Sequence, residues 1–241
     1  MKETIFIEKL IREAGNMLLN AQKTGFTTST KGGNPRDIVT STDKEVSAFL
    51  IDAIRKEFPT DAIYSEEGDT NTSGERLWGI DPIDGSSNFS RKVPHFAVSL
   101  GLLEKGVPVA GAVFDPMTQE LFNFEKGKGA YLNGEEMRVS KIADLSQAHV
   151  FFRTGRRKDM HEWGARSYLK LMGATNKTYN FGCASLDICY VAAGRIEAAI
   201  YGTLSTLDIA PALGILTEAG GSIMGKEGEY VSFGLLPQTI I

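Results

Sequence analysis

The residues best suited to chemistry crowd into one run, Trp78-Gly-Ile-Asp81-Pro82-Ile83-Asp84-Gly85-Ser86-Ser87-Asn88-Phe89. Asp81 and Asp84 flank a proline whose ring restricts the backbone, which holds both carboxylates near one point. Small residues follow at once, and their backbone N–H groups would be free at a helix N-terminus, a setting that suits a phosphate. Carboxylates for a hard cation beside N–H groups for an anion point to metal-assisted phosphate chemistry. A strand-to-helix turn with two capping aspartates accounts for the same residues, because Asp is common at turns and caps.

Three other places could complete such a cluster. Ser65-Glu66-Glu67-Gly68-Asp69 follows the short apolar run Ala62-Ile63-Tyr64 and reads either as a solvated loop or as carboxylates at a strand end. Thr42 and Glu45 have capping-box spacing, so a helix is expected to start near Asp43, where the dipole favours a carboxylate. Asp208 reads as an N-cap, with Pro211 in the first turn and Gly220-Gly221 at the far end.

Positioning these groups takes a frame of alternating elements. Ile7, Leu10, Ile11, Ala14, Met17, Leu18 and Ala21 fall on one face of an amphipathic helix. The Thr-, Ser-, Gly- and Lys-rich stretch 25–35 reads as a loop, long enough for a lid or a plain surface connection. A strand over 76–80 leads into the proline turn and a helix start at Gly85. Strands over 96–103, 107–114 and 120–124 make an antiparallel meander, joined by Glu104-Lys105-Gly106 and Asp115-Pro116-Met117-Thr118. Gly127-Lys-Gly129 looks like a phosphate loop but opens no helix, so it reads as turn chemistry, with a further short strand over 137–139. From about residue 148 strands (150–152, 178–180, 196–201) alternate with helices (161–172, 184–193). The boundary between sub-domains is placed near 145: residues 1–145 carry the metal and phosphate motif, and 146–241 complete the site.

The composition fits a globular protein with a sizeable core, 42% apolar and 23% charged over 241 residues. A net charge of −4 argues against nucleic acid as the main partner. No apolar run approaches a membrane span, and Met1 to Leu10 mixes charges at helical spacing without a signal-peptide core, so a cytoplasmic location is expected. Cys183 and Cys189 read as buried thiols, not a disulfide framework.

The whole chain resembles the inositol monophosphatase family of metal-dependent, lithium-sensitive phosphatases. Trp78 to Phe89 matches the family's W-x-x-D-P-[IL]-D-G-[ST]-x-N-[FY] pattern. Asp208 to Gly221 matches its second signature, with Leu207 where the family has Trp. Glu66-Glu67 matches the paired acids after a short strand, and Asp37 to Asp43 matches a D-x-V-T-x-x-D element. The resemblance implies an α/β fold, a five-layer αβαβα sandwich, usually assembled as a homodimer. It implies Glu66, Asp81, Asp84 and Asp208, with the Ile83 carbonyl, as ligands for two or three Mg²⁺ ions. The residues agree on the metal: oxygen-only donors suit Mg²⁺, and His95, His149 and His161 show no metal-ligand spacing.

By the same resemblance Asp43, Ser86 and Glu66 are catalytic, Asp43 pairing with the Ser86 hydroxyl to orient or deprotonate a water. Ser86 stands where the family more often has Thr. Gly85, Ser86, Ala184, Tyr201 and Asp208 fall at phosphate- or substrate-binding positions. Glu67 would assist one metal from outside its ligands. Lys31 and Asp37 match positions that organise a metal or water when the loop closes. Inositol-selective members commonly carry Glu where Tyr201 stands, and its loss removes a contact that would select a polyol. A small phosphorylated metabolite is the implied partner: inositol phosphate or a related sugar phosphate, with fructose 1,6-bisphosphate, 3'-phosphoadenosine 5'-phosphate and histidinol phosphate as alternatives. Arg153, Arg156, Arg157 and Lys158 read either as a second phosphate site or as a solvated loop. A non-catalytic regulatory protein of the same fold would be expected to lose a metal carboxylate or the Asp43/Ser86 pair, and all are present.

Overall fold

In the meander the large apolar side chains Val98, Leu100 and Leu102 alternate with Ala97, Ser99 and Gly101, and all six are buried or lie within a buried strand. Burial on both faces requires a layer of helices on each side. The computed structural model describes residues 1–34, 37–68, 72–155, 160–205, 207–224 and 238–240, the last of these by strand pairing alone. In chain order the elements are α1 (Lys2–Thr24), β1 (Thr28–Thr30), β2 (Ile38–Thr40), α2 (Ser41–Glu57), β3 (Ala62–Ser65), β4 (Arg76–Asp84) and α3 (Ser86–Ser90). Then come β5 (Ala97–Glu104), β6 (Val107–Asp115), β7 (Glu120–Glu125), β8 (Gly129–Leu132), β9 (Glu135–Glu136), β10 (His149–Arg153) and α4 (His161–Ala174). The chain closes with β11 (Lys177–Tyr179), α5 (Ala184–Ala192), β12 (Ala198–Leu204), α6 (Ala210–Glu218) and β13 (Gln238–Ile240).

The strands β3 to β9 form one seven-stranded sheet in sequence order, parallel only at β3–β4. A four-stranded sheet has the order β11-β10-β12-β13. Helices α1 and α2 cover the outer face of the large sheet, burying Ile11, Leu18, Val46 and Leu50 against Trp78, Leu100 and Phe114. Helices α5 and α6 lie between the sheets with Phe122, Phe124, Phe151 and Tyr201. Helix α4 covers the far side, Trp163 and Tyr168 facing the Phe152 ring. This is the expected αβαβα layering.

One packing feature places the chain before α6. Gly79, Gly101 and Gly111 are register neighbours across β4, β5 and β6. A Cβ at Gly101 would lie 2.7 Å from Pro211 Cγ, and one at Gly79 would lie 3.2 Å from the Leu207 carbonyl oxygen. This side-chain-free lane lets the 207–211 segment lie flat on the sheet. The Ser99 hydroxyl adds a bond of 3.4 Å to the Asp208 carbonyl.

Several local expectations are corrected. Strand β4 does not stop at Ile80 but runs through Pro82 to Asp84. Pro82 brings no N–H to the ladder, and the pairing with β5 is irregular just there, between Asp81 and Asp84. Helix α2 starts at Ser41, capped by Thr40 and Asp43, not by Thr42 and Glu45. Thr40 ends β2 with an extended backbone, which aims its N–H and hydroxyl at the Asp43 carboxylate. The 25–35 loop is framed by a small β1–β2 hairpin. The stretch 137–139 is not a strand; the pairing falls on Glu135–Glu136.

Candidate active site

The C-terminal ends of β3 and β4 meet the starts of α3 and α5 and the turn before α6 in a cleft of 430 Å³. Glu66, Asp81, Ile83, Asp84, Gly85, Ser86, Ala184 and Asp208 line it, as does Asp37 at the foot of β2. Gly85 is left-handed at φ 89°, which turns β4 into α3, and a Cβ there would lie 3.2 Å from the His95 carbonyl oxygen.

The acids differ in how they are held. Asp81 is 5% exposed, and its Oδ1 accepts the Ile83 N–H at 3.1 Å. Burial pushes its pKa well above the carboxylate range, and Glu66, Asp84, Asp208 and Asp43 add to the rise. Asp84 accepts the Ser185 N–H at the start of α5, which joins the two halves of the chain at the cleft. The Cys183 thiol donates to the Asp84 carbonyl at 3.4 Å. Asp208 does not cap α6, whose N-cap is Ile209. Its Oδ1 is buried without a hydrogen-bond partner. Burial and then Glu66 push its pKa up to about 7, against hydrogen bonds from Ser205 and Tyr64. The capping explanation for Asp208 therefore fails, and its burial needs another reason.

Asp43 lies one shell beneath the cleft, 2% exposed. Its Oδ2 accepts the Thr40 N–H at 2.7 Å and the Thr40 hydroxyl at 2.6 Å. The Ser86 hydroxyl lies 3.1 Å from Asp43 Oδ1 and 2.8 Å from the Ile83 carbonyl, so one proton has two acceptors. Burial raises the Asp43 pKa despite the Thr40 and Ser86 bonds. Lys31 bridges Glu66, at 2.7 Å, and Glu67. Burial pushes the Lys31 ammonium down, but the two glutamates outweigh it and the net shift is upward. At Glu67 burial outweighs Lys31 and the pKa rises.

Tyr201 is not in the cleft. It is 1% exposed, and its hydroxyl donates to Asp187 Oδ2 at 3.0 Å in the layer behind α5. The ring packs between the sheet and α5 and does not line the cleft, which speaks against the substrate contact expected of it. Sequence reading missed Asp187, a buried acid on the apolar α5, and overlooked Thr203 and Ser205 on the cleft wall. Of the basic cluster only Arg153 is described, and it lines the cleft; Arg156, Arg157 and Lys158 lie outside the described residues.

Among the described residues no three His, Cys, Asp or Glu side chains close into a metal cage as they stand. Glu66 is turned to Lys31 instead. The donor set nonetheless fits a hard divalent cation: oxygen only, with a buried Asp81 and an orphaned Asp208 oxygen opening on the same cleft.

The profile of the inositol monophosphatase family matches residues 2–241. A fructose-1,6-bisphosphatase/inositol-1-monophosphatase of Thermotoga maritima is 35% identical over 238 residues, spanning 94% of this chain and 87% of the relative. The Nus factor SuhB of Escherichia coli K12 is 37% identical over 227 residues, spanning 91% and 83%. The solved structure of a Thermotoga maritima IMPase superposes with a TM-score of 0.91 at 32% identity, covering 100% of this chain and 92% of that one. Fold and site thus define a phosphoric monoester hydrolase. The chain belongs to the inositol monophosphatase family.

Proposed function

We propose that this chain is a Mg²⁺-dependent phosphomonoesterase acting on inositol phosphate or a related small sugar phosphate. The observation that carries the reading is Asp208, an acid whose buried oxygen has no partner and which opens on a cleft shared with Asp81 and Asp84. Glu66, Asp81, Asp84, Asp208 and the Ile83 carbonyl would hold two or three Mg²⁺ ions. Bound there, Mg²⁺ supplies an activated water and stabilises the departing ester oxygen.

The chain's own residues do the rest. Thr40 fixes the Asp43 carboxylate through two bonds and leaves Oδ1 for Ser86. When the Ser86 proton points to Asp43, its oxygen lone pairs face the cleft and can accept a proton from water. The raised Asp43 pKa suits a base that receives that proton through Ser86. Ser has less rotameric restraint than Thr, and the Ile83 carbonyl at 2.8 Å is the alternative acceptor for the same hydroxyl proton. Gly85 and Ser86 are assigned the phosphate, and Ala184 the adjoining wall. Lys31 and Asp37 are assigned to loop closure over the cleft, with Glu67 beside them. A homodimer and a cytoplasmic location belong to the same reading. Among the described residues no helix is long and apolar enough to cross a membrane.

A substrate range wider than inositol phosphate is favoured by Tyr201, which turns away from the cleft and offers no polyol contact. Phosphate release should be measured with and without Mg²⁺ across inositol, fructose, nucleotide and histidinol phosphates. The expected result is turnover of at least one ester that vanishes with EDTA. Silence across the panel would overturn the proposal.

A further inference from the structure

Helix α5 buries all but one of its residues, and its single charged side chain is Asp187. That carboxylate is 2% exposed, and burial raises its pKa even with the Tyr201 hydroxyl bonded to it. An acid in an apolar layer is costly to the fold, so its contacts call for a reason. Tyr201 reaches from β12 across the first turn of the helix. Its hydroxyl donates to Asp187 Oδ2 at 3.0 Å and lies 3.5 Å from the Ala184 carbonyl. Asp187 Oδ1 has no hydrogen-bond partner and faces His95 Nε2, equally unpartnered, at 3.8 Å. The His95 main chain packs on the corner that turns β4 into α3: its carbonyl accepts Asn88 Nδ2 at 2.8 Å and lies against Gly85. Asp187 thus stands between β12 and that corner. Two residues before it on α5, the Ser185 N–H donates to the Asp84 carboxylate.

We infer that Asp187 is a positioning residue: clasped by Tyr201, it fixes the first turn of α5 so that the Ser185 N–H holds one oxygen of Asp84 and leaves the other for a cation. This inference rests on the phosphatase reading above and deepens it. Asp187 does not line the cleft, so it acts through Ser185 and not on the substrate. A group that orients a ligating carboxylate is worth roughly 10–100-fold in metal affinity. Asp187 works one link further back, which places its effect at the low end of that range.

The test uses Tyr201→Phe, which removes one hydroxyl, Asp187→Leu, which removes both oxygens, and Asp187→Asn, which keeps an acceptor for Tyr201. Hydrogen exchange of the Ser185 amide is followed in EDTA, and calorimetry gives the Mg²⁺ Kd without substrate. Tyr201→Phe and Asp187→Leu should each speed that exchange and weaken Mg²⁺ binding by about tenfold, and Asp187→Asn should recover most of both. The Phe and Leu changes together should cost no more than the larger one alone, since both break the same clasp. In turnover, the loss of kcat at limiting Mg²⁺ should be made good by excess Mg²⁺, with KM for the ester unchanged. Exchange at the wild-type rate in Tyr201→Phe, or faster exchange with an unchanged Kd, overturns the proposal. A raised KM with wild-type Mg²⁺ binding would make Tyr201 a substrate contact and overturns it too. If Asp187→Leu does not fold, Tyr201→Phe carries the same comparison. No Mg²⁺ uptake by wild type would sink the phosphatase reading instead, and the exchange ratio alone then decides the clasp.

Discussion

The two ends of strand β4 use acids in opposite ways. At its start Arg76 sits among Asp61, Glu3 and Glu104, at 3.1, 3.1 and 2.5 Å, and the Trp78 indole adds a bond of 2.9 Å to Asp61. At its end Asp81 and Asp84 meet Asp208 and Glu66, with no arginine or lysine on Asp81 or Asp84 among the described ion pairs. On one rigid strand, the acids of one cluster share a cation and the acids of the other face one another. The first contributes to holding the fold together. The second is costly to the empty fold, and that cost is the capacity to bind a cation.

The contrast breaks most sharply at Asp84→Asn. Asn keeps an acceptor for the Ser185 N–H but removes a charge from the cleft, so hydrolysis should fall by roughly 10²–10³-fold with the circular dichroism spectrum intact. Turnover near wild type would remove Asp84 from the ligand set.

A smaller effect follows from the raised acids. In EDTA the native state retains a proton on Asp208 up to about pH 7, whereas the unfolded carboxyl loses it near 3.8. The stability this group contributes is complete below about pH 4 and lost as pH climbs toward 7, and Asp81 shifts in the same direction. The melting temperature in EDTA should therefore fall between pH 5 and pH 8. Mg²⁺ at a hundredfold over its Kd should return about 2.7 kcal/mol at pH 8, roughly 5–10 °C for a chain of this size. A flat profile, or no response to Mg²⁺, would contradict self-repulsion in the cleft.

The smallest change is expected at the paired end. Arg76→Met leaves the buried Asp61 with Trp78 as its remaining partner, and should cost about 1–2 kcal/mol once the exposure of Arg76 is discounted. Thermal unfolding should register this loss while kcat stays at the wild-type value. A fall in kcat would mean that the two ends of β4 are coupled.

Much of the site was legible because its residues are close in sequence. Asp81, Ile83, Asp84, Gly85 and Ser86 sit on one strand-to-helix corner, and a local pattern captures them. Asp208 was expected as a metal ligand only through the family resemblance: its spacing, with Pro211 and the glycines, gave it the look of a cap, while the glycine lane that fixes its position lies on three other strands. Tyr201 was misplaced because a strand register, not a motif, decides which way a side chain faces. The Asp43 assignment came out with a different cap, since Thr40 ends a two-stranded hairpin too short to be read from its residues. The apolar runs marked the elements and the resemblance implied the layers, while the strand order within each sheet comes from long-range pairing that no local pattern carries.

The hairpin turn Gly127-Lys-Gly129 receives an anion after all: its two glycine N–H groups hold the Glu218 carboxylate at 2.9 and 3.1 Å. That grip ties the last turn of α6 to the large sheet, while the opposite end of α6 follows Asp208 along the glycine lane. During synthesis the sheet leaves the ribosome first, with Asp81 and Asp84 already on it, and about fifty further residues pass before α5 can reach Asp84, with Asp208 later still. The nascent chain thus passes through an interval in which its acids are assembled but its cleft is not. The emergence of Glu218 marks the moment at which both ends of the closing helix can be fastened.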